Sequence, residues 1–173
     1  MSRLTLTGLA QRVGVRQPSL YKHIDNLDGL HRSISLRAKL ALADALGRAA
    51  VGRSRDDAIV SMSQAYRAWA IQHPGRYAAA QRAPVPGDTD DEAASMAAVQ
   101  VLTDVLAGYD LRGDDAIDAI RAIRSALHGF IALEAGGGFG LPVDIDRSYD
   151  RLVHGLLAAL SGWGGEPGGS DQH

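Results

Sequence analysis

Apolar residues recur at spacings of three and four along almost the whole chain, a period that predicts helices and no strand. Leu9, Ala10 and Val13 share one face of a helix over about 6–13, with Thr5 placed to cap it and Gly14 to end it. Pro18 suits the first turn of a second helix, about 17–23, in which Leu20 points inward with Ile24 just beyond. Asn26 can cap a third helix, about 27–48, whose stripe is Leu30, Ile34, Leu36, Ala38, Leu42, Ala45 and Leu46. After a joint at Gly47, Gly52 and Ser54, a helix over about 56–73 carries Ile59, Met62, Ser63, Tyr66, Trp69 and Ala70 on one face. Pro74 stops it by forcing the preceding residue out of the helical region. A short helix, about 75–82, and a polar loop or lid, PVPGDTDD, lead to helices over about 91–108, 114–135 and 146–160. The stripe of the penultimate helix is Ile117, Ile120, Ile123, Leu127, Phe130, Ile131 and Leu133. That of the last is Tyr149, Leu152, Val153, Leu156, Leu157 and Leu160. Residues 162–173, GWGGEPGGSDQH, read as a disordered tail.

The first two helices and the sharp turn between them have the form of a helix-turn-helix, which lays its second helix in the major groove of DNA. With Leu20 facing inward, Gln17, Ser19, Tyr21, Lys22 and His23 are left outside, with groups suited to base edges and phosphates. Lys22 and Arg16 suit phosphate better than bases. Tyr21 is either a DNA contact or a core aromatic, and His23 either a contact or a C-terminal helix cap. Charge favours the DNA reading. Residues 1–53 hold nine basic side chains against three acidic ones, a charge of +6, whereas residues 54–173 hold nine against seventeen, a charge of −8. A basic head gathers a polyanion by releasing its condensed counterions.

Composition narrows the remaining choices. At 173 residues the chain makes one domain, or a small head on a larger body. It has no cysteine, which excludes disulfides and thiolate chemistry. No apolar run approaches the roughly 20 residues that span a bilayer, and the N-terminus lacks the order of a signal peptide, so a cytoplasmic protein is expected. There is no phosphate-cradling loop and no nucleophile elbow. GGGFG at 136–140 is a helix stop, because no strand precedes it. His73, His128 and His154 have no ligand partner three or four residues further on, so no metal is expected. Neither an enzyme nor a cofactor is expected.

The string LTGLAQRVGVRQPSLYKHIDNLDGL resembles the DNA-binding head of the TetR family of bacterial transcriptional regulators, and the likeness covers about residues 4–48. QPSLYKH is especially similar to that family's recognition helix. The body resembles a subgroup with a Trp and His-Gly signature. Here AYRAWAIQHPGRYAAA supplies Trp69, His73 and Pro74, and RSALHGFIALEAGGGFGLPVD supplies His128 and Gly129. The resemblance implies an all-α protein: a helix-turn-helix head over 1–48 and an antiparallel helical bundle over 54–161. It implies a homodimeric repressor on double-stranded DNA, released by a small-molecule effector and without a membrane partner. It also implies DNA contacts from Gln17, Pro18, Ser19, Tyr21, Lys22 and His23, joined by Thr7 and Arg16. Two features depart from the pattern. Leu27 stands where many relatives grip phosphate with lysine or arginine. Only MSRL precedes Thr5, where relatives carry a whole helix, so the first helix is expected to be missing through a misplaced start codon, a truncation or a partly open head; the first is favoured.

Met62, Tyr66, Trp69 and Met96 either line an effector cavity or pack as plain core. His128 either adds a polar group to that cavity or bonds within the core or interface. The last two helices are the expected dimer interface, through Ile123, Leu127, Phe130, Ile131, Leu152, Val153, Leu156 and Leu160. The rival reading is a ligand-sensing or protein-binding helical dimer with a defective head.

Overall fold

The computed structural model describes residues 5–20 and 26–163, and for Gln17 and Leu20 the backbone alone. Thr5 Oγ1 accepts from Gly8 N at 3.1 Å and so starts α1 (Leu6–Val13). Gly14 ends it in the left-handed region at φ 69°, where a side chain would be strained. Helix α2 (Gln17–Leu20) follows at once and packs on α1. Asn26 Oδ1 accepts from Gly29 N at 2.7 Å and opens α3 (Leu27–Ala50).

Helix α3 is 24 residues, about 36 Å at the usual rise, and the body is built around it. Helices α4 (Arg55–Gln72), α5 (Pro74–Ala80) and α6 (Thr89–Leu106) all pack on it. A 3₁₀ turn, Ala107–Tyr109, leads to α7 (Gly113–Ala135) and α8 (Ile145–Trp163). Among the described residues there is no strand, and no helix is long and apolar enough to cross a membrane. Every member of the predicted α4 stripe is buried. On α7 the predicted Ile117 and Leu133 face solvent instead, and the stripe includes Ala116 and Ala119, small enough for close approach. The last helix runs to Trp163, two residues into the predicted tail; residues 164–173 lie outside the described part.

The segment expected to be a polar loop or lid is an anchor. Asp88 caps α6 by accepting from Asp91 N at 3.2 Å, and the carboxylates of its first turn meet cations of α3. Arg32 grips Asp88 through Nε and Nη2 and reaches Asp90 at 3.1 Å. Deeper in, the Lys39 ammonium pairs with Asp91, each side chain only 5% exposed. The second oxygen of Asp91 accepts from Val85 N at 3.1 Å, so the buried carboxylate is fully engaged. The guanidinium of Arg32 holds the Asp88 carboxyl down at about 2, and Lys39 holds Asp91 below the usual carboxylate range.

Elsewhere α8 is tied down by Tyr149, whose hydroxyl donates to the Ser63 carbonyl at 2.6 Å. Arg67 chelates Glu134 at 2.5 and 2.8 Å, reaches Asp146 at 2.8 Å and lies over the Tyr149 ring at 4.9 Å.

Asp91→Asn strands a buried ammonium and is expected to cost about 3–5 kcal/mol in urea unfolding. Asp88 has a folded-state value below its unfolded one. Its stabilisation is therefore complete above about pH 4 and lost as pH falls toward 2. Asp88→Asn should accordingly flatten the fall in melting temperature between pH 4 and pH 2; a profile as steep as the parent's would remove this carboxylate from the acid transition.

Candidate functional site

Two places in the fold have the chemistry of a site. The first is the head. Thr7, Arg16, Pro18 and Ser19 are all exposed on the α1–α2 unit. Gln17 opens α2, and Tyr21, Lys22 and His23 lie outside the described residues. Of the cations counted in the basic head, Arg32, Lys39 and Arg48 are spent on carboxylates within the chain. Arg12, Arg16 and Arg37 are exposed and have no ion-pair partner among the described residues.

The second is a cavity of about 300 Å³ inside the body, at the lower end of the range for small-molecule sites. Leu42 and Leu46 of α3, Ile59 and Met62 of α4, and Val99 and Leu102 of α6 give it apolar walls. Ile120, Ile123 and Leu127 of α7 close the far side, and Gln81 to Pro84 of the α5–α6 connection form a rim with Arg124. A chain of hydrogen bonds leaves this rim. Arg124 Nη2 donates to Gln81 Oε1 at 3.2 Å, and Gln81 Nε2 donates to the Tyr66 hydroxyl at 3.3 Å. The hydroxyls of Tyr66 and Tyr77 are 3.1 Å apart, and that of Tyr77 lies 2.6 Å from His128 Nδ1. Burial, with the Tyr66 hydroxyl beside it, pushes the Tyr77 phenol above its ordinary range, so it keeps its proton.

Residues 59–156 match the family model described as the tetracyclin repressor-like C-terminal domain. The chain is 39% identical over 158 residues to an HTH-type transcriptional regulator, Rv0681, of Mycobacterium tuberculosis (strain ATCC 25618 / H37Rv), covering 91% of this chain and 72% of that protein. The chain belongs to the TetR family of transcriptional regulators. The HTH-type regulator YobS of Bacillus subtilis (strain 168) is 32% identical over 158 residues, 91% of this chain and 82% of its own length. In three dimensions the chain is similar to the crystal structure of the regulatory protein SCO4313, with a TM-score of 0.74 and 27% identity over 90% of this chain and 85% of that one. A protein from Rhodococcus sp. RHA1 shares the fold at a TM-score of 0.73 and 23% identity, over 91% of this chain and 85% of that one.

As a TetR-family member the chain is a DNA-binding regulator rather than an enzyme. The family match spans both segments behind the Trp and His-Gly resemblance, and its description names no subgroup. Within this body the predicted ligand residues separate. Met62 and Tyr66 line the cavity. Met96 is 55% exposed on the outer side of α6, and the cavity wall there is Ala94, Ser95, Ala98, Val99 and Leu102. Trp69 is buried a turn beyond the cavity, its ring edge-on to His73 at 5.5 Å. His128 does not line the cavity either; it ends the hydrogen-bond chain, half-buried on α7.

The interface expectation needs a similar correction. Ile123, Leu127, Ile131, Val153 and Leu160 are buried in the protomer's own core, so another chain cannot touch them without opening it. Phe130, Leu152 and Leu156 are half-buried at its edge. The surface beside them carries exposed Ser125 and Leu133 and half-buried Gly129 on α7, and exposed Gly155, Ala159 and Trp163 on α8.

The sequence reading missed Lys39, Tyr77, Gln81, Arg82 and Arg124. Two of these left a trace, because Lys39 lies three residues before Leu42 and Arg124 three before Leu127, each a charge breaking an apolar stripe. Tyr77→Phe, which takes away the hydroxyl between Tyr66 and His128, should cost about 1–3 kcal/mol. Urea unfolding measures this as a lower midpoint at unchanged slope.

Proposed function

We propose that this TetR-family protein is a ligand-responsive repressor that binds a near-palindromic operator as a homodimer. The supporting observation is the course of α3. It begins at Leu27, within the head and soon after the α1–α2 unit, and Lys39, Leu42 and Leu46 of the same helix line the cavity. An effector in the cavity therefore presses on the element that carries the head. One that prefers a different head separation withdraws the dimer from the DNA-competent population. The chain divides into a head over 1–48 and a body over 54–161, and it works in the cytoplasm. Twofold pairing presents two recognition helices about 34 Å apart, one turn of DNA. Arg16 and Lys22 hold phosphates, while Gln17, Ser19 and Tyr21 face base edges, with Thr7, Pro18 and His23 alongside.

The pairing surface is the outward face of α7 and α8, where Gly129, Gly155 and Ala159 allow close approach and Phe130, Leu152 and Leu156 supply apolar area. One observation favours the rival reading of a sensing dimer with a defective head. Val13 is 57% exposed and Val15 43%, and α1 buries only Ala10, so the apolar residues of α1 and the turn after it are poorly covered.

A mobility shift with DNA from upstream of the chain's own gene separates the two. Retardation that weakens steeply between 50 and 200 mM salt, and that Tyr21→Ala abolishes while the dimer persists, is expected of the repressor. A folded dimer that retards no such DNA would favour the rival. Ala159→Glu places a charge in the proposed interface and should give monomers by light scattering, with about tenfold weaker operator binding; an intact dimer would place the interface elsewhere.

A further inference from the structure

The cavity's walls are apolar, yet the charged side chains that reach it all have the same sign: Lys39, Arg82 and Arg124. No carboxylate is among its lining residues. Lys39 is neutralised from behind by Asp91, deep in the α3–α6 seam. Arg82 and Arg124 are different. Both are exposed at the rim, and among the described residues neither has an ion-pair partner. Arg124 spends one N–H on the neutral carbonyl oxygen of Gln81, at 3.2 Å, and among the described residues Arg82 makes no side-chain hydrogen bond. The site is therefore an apolar chamber with two unneutralised guanidinium groups at its entrance.

We propose that the effector of this cavity is an amphipathic anion, an apolar body of about ten carbons ending in a carboxylate. This rests on the ligand-responsive reading above. The hydrocarbon lies against Leu42, Leu46, Ile59, Met62 and Leu102, and the carboxylate stays at the rim between Arg82 and Arg124. A carboxylate is a far better acceptor than the Gln81 amide, since charge-assisted bonds to guanidinium are about twice as strong as neutral ones. It therefore takes Arg124 from Gln81, whose other hydrogen bond, to Tyr66, leads into the chain that ends at His128. A cationic amphiphile would meet two like charges at the entrance and leave both uncompensated. A neutral alcohol keeps the apolar contacts and gains no ion pair.

The test is calorimetric titration of the full chain at pH 8 with decanoate, 1-decanol and decylammonium. Decanoate is expected to bind about tenfold more tightly than decanol, with decylammonium weakest. In the double variant Arg82→Gln/Arg124→Gln, decanoate affinity should fall to that of decanol while decanol binding is unchanged. Both positions are exposed, so the variant should fold, and its thermal melt verifies this. If decanol or decylammonium binds as tightly as decanoate, or if the preference survives the double substitution, the anion assignment is overturned and the ligand-responsive reading stands. If none of the three binds, the amphiphile assignment is overturned.

Discussion

The ion pair between Lys39 and Asp91 is the constraint around which the body is arranged. Two opposite charges at 5% exposure are costly to desolvate, and they persist only where each is fully compensated. The sequence provides this through the start of α6. Asp88, Asp90 and Asp91 stand at its N-terminus, where the helix dipole favours negative charge, and Asp91 also accepts from the Val85 amide. The positive partners, Arg32 and Lys39, are seven residues apart on α3 and so share one face. The seam fixes the register of α3 against α6, and that register decides which residues of each helix face the cavity.

A space remains where packing is otherwise close. The walls come from helices with different partners. α3 and α6 are locked by the ionic seam, α8 is held to α4 through Tyr149 and Ser63, and Arg67 ties α4 to Glu134 near the end of α7. Lys39 and Ser63 stand in the wall of the space enclosed by Met62, Val99 and Ile123, and the Arg67 tie lies away from it. The route out is polar: Arg124, Gln81, Tyr66, Tyr77 and His128 join three elements in one hydrogen-bonded line from the rim to the outer part of α7.

Helix positions were legible because each was written locally. Thr5, Asn26, Gly14 and Pro74 mark boundaries through their own backbone and side-chain chemistry, and the stripe from Ile59 to Ala70 is buried as its spacing implies. The site was legible only in part. Met62 and Tyr66 reach the cavity while Met96 turns outward, because a helix can bury more than one face and period alone does not tell which face meets an open space. Five of the eight expected interface residues turn out to be covered within the protomer for the same reason. Ile123, Leu127 and Val153 are apolar at helical spacing, and the pattern does not distinguish a residue's own core from a partner's surface.

The amino-acid order alone determined the all-α character, the helix ends, the basic head and the family likeness, since all four arise from neighbours within a few turns or from composition. Tertiary structure decided which charges are spent inside the chain, which apolar residues are already covered, and where the cavity and its cationic rim lie. Arg32 meets Asp88 across 56 positions and Arg124 meets Gln81 across 43. Contacts at that separation depend on how helices cross, which is set by packing over the whole body and by no local pattern.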